Sequence, residues 1–502
     1  MPEDLRAEHI FDVRPPGTPP PLDALPGVRR VGSPVGHHLR TQYFDTADLA
    51  LRSRGIVLSR RTGGPDAGWQ LDLPGTDGPR EHHVEPLGAG DEPVPERFVR
   101  MTRARARGRP LEPTAHVDVD GSSTVLYGKK EKVLAEFTDD VIRTQSVYPT
   151  QVMEERRTWG IRLVDAPGRL VEAAEAAFRD GADHTAAFQG LVPAPDGPDG
   201  SRGPGGRGRR SRVPGPKDPI SSVLLAYVRQ QAETLLSVDP AVRDDEPDAV
   251  HQMRVSARRL RSVLASYKKL VDPGTVARLR EDLQWLAAAV GGTRDIEVMR
   301  ERLRALIAAE PAELLMGPVA QRIEEELGAR YTAARGIALE ALESDRYFDL
   351  LEALDAFVDS PPLGDAAGRK AGKAAARRLE ADRGRVERAA AAAQAVAGTG
   401  SDQTALHEVR KCAKRLRYTA ESVAPVLGEE AQRTAEEAEA IQEVLGEFQD
   451  SIVLRQLLRE LAVSVFLEGS NAFALGRLHA LEQGRAERAR EAFATQWKRS
   501  HR

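Results

Sequence analysis

The residues best suited to chemistry in this chain are basic, and they come twice. His251-Gln252-Met253-Arg254-Val255-Ser256-Ala257-Arg258-Arg259-Leu260-Arg261 recurs 156 residues later as His407-Glu408-Val409-Arg410-Lys411-Cys412-Ala413-Lys414-Arg415-Leu416-Arg417. On a helix each residue turns about 100°, so His251, Arg254, Arg258 and Arg261 share an arc of about 80°. His407, Arg410, Lys414 and Arg417 repeat that arc, and neither arc holds an acid. A solvated helix face mixes signs at i, i+4. Like charges packed on one face cost stability unless an anion compensates them. Two linear cation arrays therefore suit a long polyanion, with planar guanidinium groups taking phosphate oxygens two at a time. Arg259 and Arg415, beside the arcs, are counted with them as phosphate-binding candidates. The stripes contain no aromatic side chain on which a base could stack, which disfavours nucleic acid. The two histidines have two readings: a local hydrogen bond at a helix start, or a phosphate contact strengthened by protonation.

A second motif follows each copy. Val290-Gly291-Gly292-Thr293-Arg294-Asp295 is answered 155 residues later by Leu445-Gly446-Glu447-Phe448-Gln449-Asp450. Two motifs in the same order argue for a duplicated unit, each copy a four-helix bundle. Asp295 and Asp450 are expected near a helix start, as N-caps or as carboxylates that position an arginine. Cys412 is expected to pack rather than to react.

The basic arcs need helices with an apolar stripe beside them. Met253, Ala257, Leu260 and Leu264, and again Val409, Ala413 and Leu416, supply it. Helical periodicity fills residues 218–502, with repeat halves near 218–360 and 366–502. Breaks near Pro273-Gly274, Gly291-Gly292, Pro311, Pro361-Pro362, Gly398, Gly428 and Gly469 predict about eight helices. Residues 1–200 instead read as strands. Gly55–Arg61, Gly68–Pro74, His116–Asp120 and Val133–Phe137 alternate or run apolar between turns, with one helix near Leu170–Gly181. The expected architecture is α+β and multidomain: an N-terminal antiparallel β-barrel, then an all-α domain of two duplicated four-helix bundles. Residues 201–217 join them as a Gly/Pro/Arg linker.

Composition narrows the function. The 502 residues carry 72 Lys+Arg and 76 Asp+Glu, for a net charge of −4. That near-neutral total divides into −6 for residues 1–201, +6 for 202–217 and −4 for the rest, so it does not exclude a polyanion binder. No run of 18 apolar residues exists, which excludes a membrane-spanning helix. One cysteine permits neither an intrachain disulfide nor a cysteine metal site. Met-Pro-Glu-Asp-Leu-Arg lacks the pattern of a secretion signal, so a cytoplasmic location is expected.

The duplicated basic motif resembles the CHAD domain, the conserved histidine α-helical domain, over about residues 218–502. That resemblance implies inorganic polyphosphate as the partner and, in some members, association with polyphosphate or polyhydroxyalkanoate granules. Residues 1–200 resemble the CYTH domain, the triphosphate tunnel fold. The matching pieces are Glu8–Val13, Tyr43-Phe44-Asp45-Thr46, Leu58–Gly64, Gly68–Pro74, Arg107–Leu111 and Leu134–Asp140. CYTH enzymes act on triphosphates with Mg²⁺ or Mn²⁺. Here Glu8, Arg61, Glu136 and Asp139 match tunnel positions of that family. Asp72, Asp118 and Asp120 stand where it carries cations, and would repel a triphosphate. The expected function is polyphosphate binding by the helical domain beside a CYTH-like domain inactive toward triphosphates, with no assigned catalytic residue or metal site. The rival readings are a Mg/Mn-dependent triphosphatase or short-chain polyphosphatase whose helical domain captures substrate, and a granule-associated interaction protein. A further alternative is an acidic cavity of Glu8, Asp72, His116, Asp118, Asp120, Glu136 and Asp139.

Overall fold

The computed structural model describes residues 8–13, 17–75, 80–88, 90, 92–147, 151–164, 168–179, 182–185, 213–398 and 401–500. The chain divides into two compact units, Met1–Arg210 and Ser211–Arg502. Most of the linker, residues 201–212, lies outside the described residues.

The first unit is one antiparallel sheet. Its strands are β1 (Glu8–Val13), β2 (Arg30–Val31), β3 (Val35–Asp45), β4 (Val57–Thr62), β5 (Gly68–Leu73), β6 (Glu81–Glu85), β7 (Glu112–Tyr127), β8 (Val133–Ser146), β9 (Val152–Leu163) and β10 (Ala182–Thr185). They lie in the order β10-β1-β9-β8-β7-β3-β4-β5-β6, with β2 beside β7. Residues alternate between the two faces. One face carries Phe11, Phe137 and Trp159, which pack on Leu170, Ala174 and Phe178 of helix α2 (Gly168–Arg179). Farther along the sheet Trp69 and Leu71 pack with Phe98 of helix α1 (Glu96–Thr102). The opposite face carries Val117, Val119 and Ile142, with Leu39 and Tyr43 against them.

The second unit is helical: α3 (Ile220–Arg243), α4 (Ala249–Ser266), α5 (Pro273–Ala289), α6 (Gly291–Ala309), α7 (Val319–Leu342), α8 (Asp345–Asp359), α9 (Ala371–Ala395), α10 (Asp402–Leu427), α11 (Glu429–Leu467) and α12 (Phe473–Ser500). Ten α-helices stand among the described residues where eight were expected. The two missed boundaries carry neither Gly-Gly nor Pro-Pro. Between α3 and α4 the chain turns through Asp245 and Asp248, both at positive φ. Between α7 and α8 the signal is a cap, with Ser344 Oγ accepting from the backbone of Tyr347.

Duplication explains the helix pairing. Shifting α5 and α6 by 155 residues lands them on the single 39-residue helix α11. The interruption at Val290 is slight, because its backbone stays right-handed helical and its N–H bonds Leu286. Copy one is thus α3, α4, α5–α6 and α7, with α8 added; copy two is α9, α10, α11 and α12. The two copies meet about an approximate two-fold axis. Ile220 N–H donates to Arg369 while Ala371 N–H donates to Asp218. Arg259 of α4 pairs with Glu421 of α10, and Arg415 of α10 approaches the Ala265 carbonyl of α4. Met253, Ala257, Leu260, Val409 and Ala413 are fully buried, and Leu264 and Leu416 nearly so, as the expected apolar stripe. Each large aliphatic among them contributes about 1.5–3 kcal/mol by burial, enough to fix which way the neighbouring basic arc faces.

Candidate functional site

The packing of α4 on α10 brings the two basic arcs together. Lys414 lies within electrostatic reach of Arg254, Arg258 and Arg410, so cations from both copies form one cluster. All four are half-buried. Burial, reinforced by those three guanidinium groups, lowers the Lys414 ammonium from the ordinary 10.5 to about 7. Burial likewise lowers Arg410, opposed by Asp450 and assisted by Arg258. Arg258 Nε and Arg410 Nε are buried without a hydrogen-bond partner. Among the described residues, neither side chain nor that of Lys414 has a carboxylate within ion-pair distance.

The Gly…Asp motif holds this cluster in place. Arg254 donates to the Gly291 carbonyl at 2.6 Å and to Asp295 at 2.7 Å. A Cβ on Gly291 would stand 3.1 Å from the Arg254 guanidinium, and one on Gly446 would stand 3.3 Å from that of Arg410. Each glycine therefore lets an arginine lie against a helix backbone. Asp295 positions Arg254, as one of the two sequence readings had it. Neither aspartate is an N-cap: Asp295 is the fifth residue of α6, and Asp450 is in mid-α11, which runs unbroken through Gly446. Asp450 is half-buried, and burial raises its carboxyl against the opposing pull of Arg410, Arg302 and Lys414.

The other candidates separate. His251 is half-buried beside the cluster, where burial lowers its pKa, opposed by Asp248 and assisted by Arg294, Arg258 and Arg254. His407 is exposed, with Nδ1 3.4 Å from Gln449. Arg261 is half-buried with its pKa lowered by burial and by Arg280 and Arg258. Three candidates are already taken by carboxylates. Arg259 pairs with Glu421 at 3.0 Å, Arg415 with Asp382 at 2.9 Å, and Arg417 with both Glu421 and Glu439 at 2.9 Å. Glu421 stands one turn beyond Arg417 in the same arc, so the second arc is acid-free only as far as Arg417. Arg280 and Arg294 join the cluster's surroundings without having been singled out. Arg294 lies inside the repeated Gly…Asp motif, a usable signal. Arg280 had none, because residue 435, its counterpart 155 positions on, is alanine.

On the sheet, the four tunnel candidates do not share one face. Glu136 is in register with Arg162, and Arg162 with Glu8. Arg61 and Asp72 belong to the same face by register through Thr41 and Val57. Asp139 is three residues from Glu136 on a strand and so faces the other way, where it takes Arg157 at 2.6 Å. His116, Asp118 and Asp120 are on that helix-bearing face too. Asp118 pairs with Arg40 at 2.6 Å, and Asp120 with His38 at 2.6 Å and Arg143 at 2.7 Å. The acidic-cavity reading is corrected accordingly: its residues are split between two faces. On the face of Glu136, that carboxylate is ion-paired with Arg162. Asp140 meets His37 at 2.9 Å, and Asp72 meets His82 at 2.7 Å. Among the described residues no three His, Cys, Asp or Glu side chains gather as a metal site. Glu136 and Asp139, each matched with an arginine, do not fit the Mg²⁺ or Mn²⁺ of the CYTH enzymes.

A family model, the CHAD domain, matches residues 226–459. An uncharacterized protein of Mycobacterium tuberculosis is 34% identical over 507 residues, covering 97% of this chain and 94% of its own. Among solved structures, PptA from Streptomyces chartreusis is similar at 24% identity and a TM-score of 0.47, covering 56% of this chain and 99% of that one. A Hippeastrum protein described by a dominant triphosphatase activity is similar at 13% identity and a TM-score of 0.20, covering 37% of this chain and 93% of that one. No helix among the described residues is long and apolar enough to cross a membrane.

Proposed function

The chain belongs to the same family as the Mycobacterium tuberculosis protein and carries a CHAD domain, and we propose that this domain binds inorganic polyphosphate through the cation cluster on α4 and α10. One observation carries the reading: Arg258, Arg410 and Lys414 are half-buried together and, among the described residues, none has a carboxylate within ion-pair distance, Asp450 acting on Arg410 and Lys414 only from farther off. A fold assembled for stability alone would place an acid there, as it does beside Arg259, Arg415 and Arg417. Buried N–H groups left without acceptors cost about 1–3 kcal/mol each. Phosphate oxygens would satisfy Arg258 Nε and Arg410 Nε, and their negative charge would favour the protonated Lys414, which takes its proton from solvent. The Arg254 guanidinium, held by Gly291 and Asp295, extends the same contact.

Replacing Arg254, Arg258, Arg410 and Lys414 together with glutamate is expected to abolish polyphosphate binding in calorimetric titration, with helical content retained by circular dichroism. Unchanged affinity in a folded variant would overturn the proposal. Association with polyphosphate granules follows from the same contact, and is expected to disappear in cells that hold no polyphosphate.

A further inference from the structure

A second basic surface lies outside the duplicated motif. The first turns of α9, the loop before it and the segment after α4 enclose a groove of about 550 Å³. Lys269, Arg369, Lys370, Lys373, Arg377 and Arg378 line it, and no carboxylate does. Ala374 and Ala381 form part of its wall, so an anion can approach the helix between the long side chains. Of the groove's seven cations Arg385 pairs with Asp382, and the other six have no ion-pair partner among the described residues. Several surface arginines elsewhere on this unit are matched: Arg304 with Glu324, Arg330 with Glu326, Arg346 with Asp282 and Arg490 with Asp402. Asp382, beside the lining residue Ala381, is 1% exposed and committed to Arg385 and Arg415.

Most of the groove's charge comes from the second copy and has no counterpart in the first. The bridge of Pro219 to Lys370 relates α3 to α9 by an offset of 151 residues. At that offset Lys370, Lys373, Arg377 and Arg378 correspond to Pro219, Ser222, Ala226 and Tyr227. The duplication therefore does not account for the charge. The groove's cations act on the helix that carries the central cluster. Arg378 and Arg385 act electrostatically on Arg415, the neighbour of Lys414 on α10. Arg378 itself lies over the Tyr267 ring at 5.1 Å, which holds its guanidinium at the junction with α4.

We propose that this groove is a second polyphosphate contact, which takes up the chain beyond the central cluster and so favours long polymers over short ones. It rests on the reading of the cluster as the primary site. A tripolyphosphate filling the cluster has no residues left for the groove, whereas a polymer of many phosphates occupies both.

The test uses the full chain with Lys370, Lys373 and Arg377 all replaced by glutamine, titrated with tripolyphosphate and with long-chain polyphosphate at several salt concentrations. Long-chain affinity should fall about tenfold or more, and the slope of log affinity against log salt should shrink by about two to three, roughly one for each cation removed from a phosphate. Tripolyphosphate affinity should stay within about twofold. A control with Arg433, Arg488 and Lys498 changed to glutamine removes the same charge elsewhere and should leave both ligands unaffected. Unchanged long-chain affinity in the groove variant, an equal loss for tripolyphosphate, or an equal loss in the control would each overturn the groove proposal while leaving the cluster standing. Loss of neither ligand in the glutamate variant of the cluster would instead remove the primary reading.

Discussion

On the sheet, Asp118 faces Arg40, Asp120 faces His38 and Arg143, Asp139 faces Arg157, and Glu136 faces Arg162. On α4 and α10, Arg258, Arg410 and Lys414 face one another. The two regions draw on similar residue types, and pairing separates them. A sheet whose named charges pair across adjacent strands leaves fewer free cations for a triphosphate. A helix pair whose cations are crowded and half-buried carries a standing electrostatic cost that a bound polyanion removes. Net charge hides this contrast, because both units are mildly acidic overall.

The sharpest way to probe it is to relieve the crowding. Arg258→Met with Lys414→Met should lower polyphosphate affinity by about 100-fold or more, from the loss of two charge-assisted contacts. The same variant should melt higher than the natural chain without ligand, since two uncompensated cations leave a half-buried site. A structural role for these cations predicts a lower melting temperature, and scanning calorimetry separates the outcomes.

A smaller effect follows from Lys414, whose proton is held between Arg254, Arg258, Arg410 and the opposing Asp450. In the free protein it titrates at about 7, and a bound phosphate holds the proton to higher pH. Affinity is therefore full below pH 7 and falls as pH rises above it, by at most about tenfold per unit for one proton. Folding runs with the opposite sign. The unfolded lysine keeps its proton to about 10.4, so between pH 7 and 10 the unfolded state binds more protons and stability rises with pH. Lys414→Arg should flatten both profiles. Retention of the full pH dependence in that variant would place the titrating group elsewhere, with His251 next to be tested.

Much of the helical half was legible in the sequence because helical period and duplication reinforce each other. The buried stripe of Met253, Ala257 and Leu260 and its counterpart at Val409, Ala413 and Leu416 fall where spacing puts them. What spacing could not show was which cations find acids. Glu421 and Asp382 neutralise Arg259, Arg415 and Arg417 from another helix or another turn, and such pairing is set by tertiary packing. The sheet was harder to read. Parity already separates Glu136 from Asp139, but the partners Arg40, Arg157 and Arg162 come from other strands, and their register is visible only once the sheet is assembled.

The smallest expected effect tests the sheet. Arg162→Ala leaves the Glu136 carboxylate without its cation, and since the pair is partly solvent-exposed the cost to the sheet should be below about 1 kcal/mol. Polyphosphate affinity should stay within about twofold, because the cluster lies in the other unit. Tripolyphosphate with Mg²⁺ or Mn²⁺ should release no phosphate above background in either the natural chain or this variant. The reason is electrostatic: Glu136 and Asp139, which would hold a metal, are matched with Arg162 and Arg157, and those arginines are in turn not free to hold a phosphate. Turnover in the natural chain that vanishes with Glu136→Gln would break the comparison, since it would require the paired face to open and reorganise around substrate. Turnover that appears only in Arg162→Ala would sharpen it, by showing that the ion pair itself is what silences the sheet.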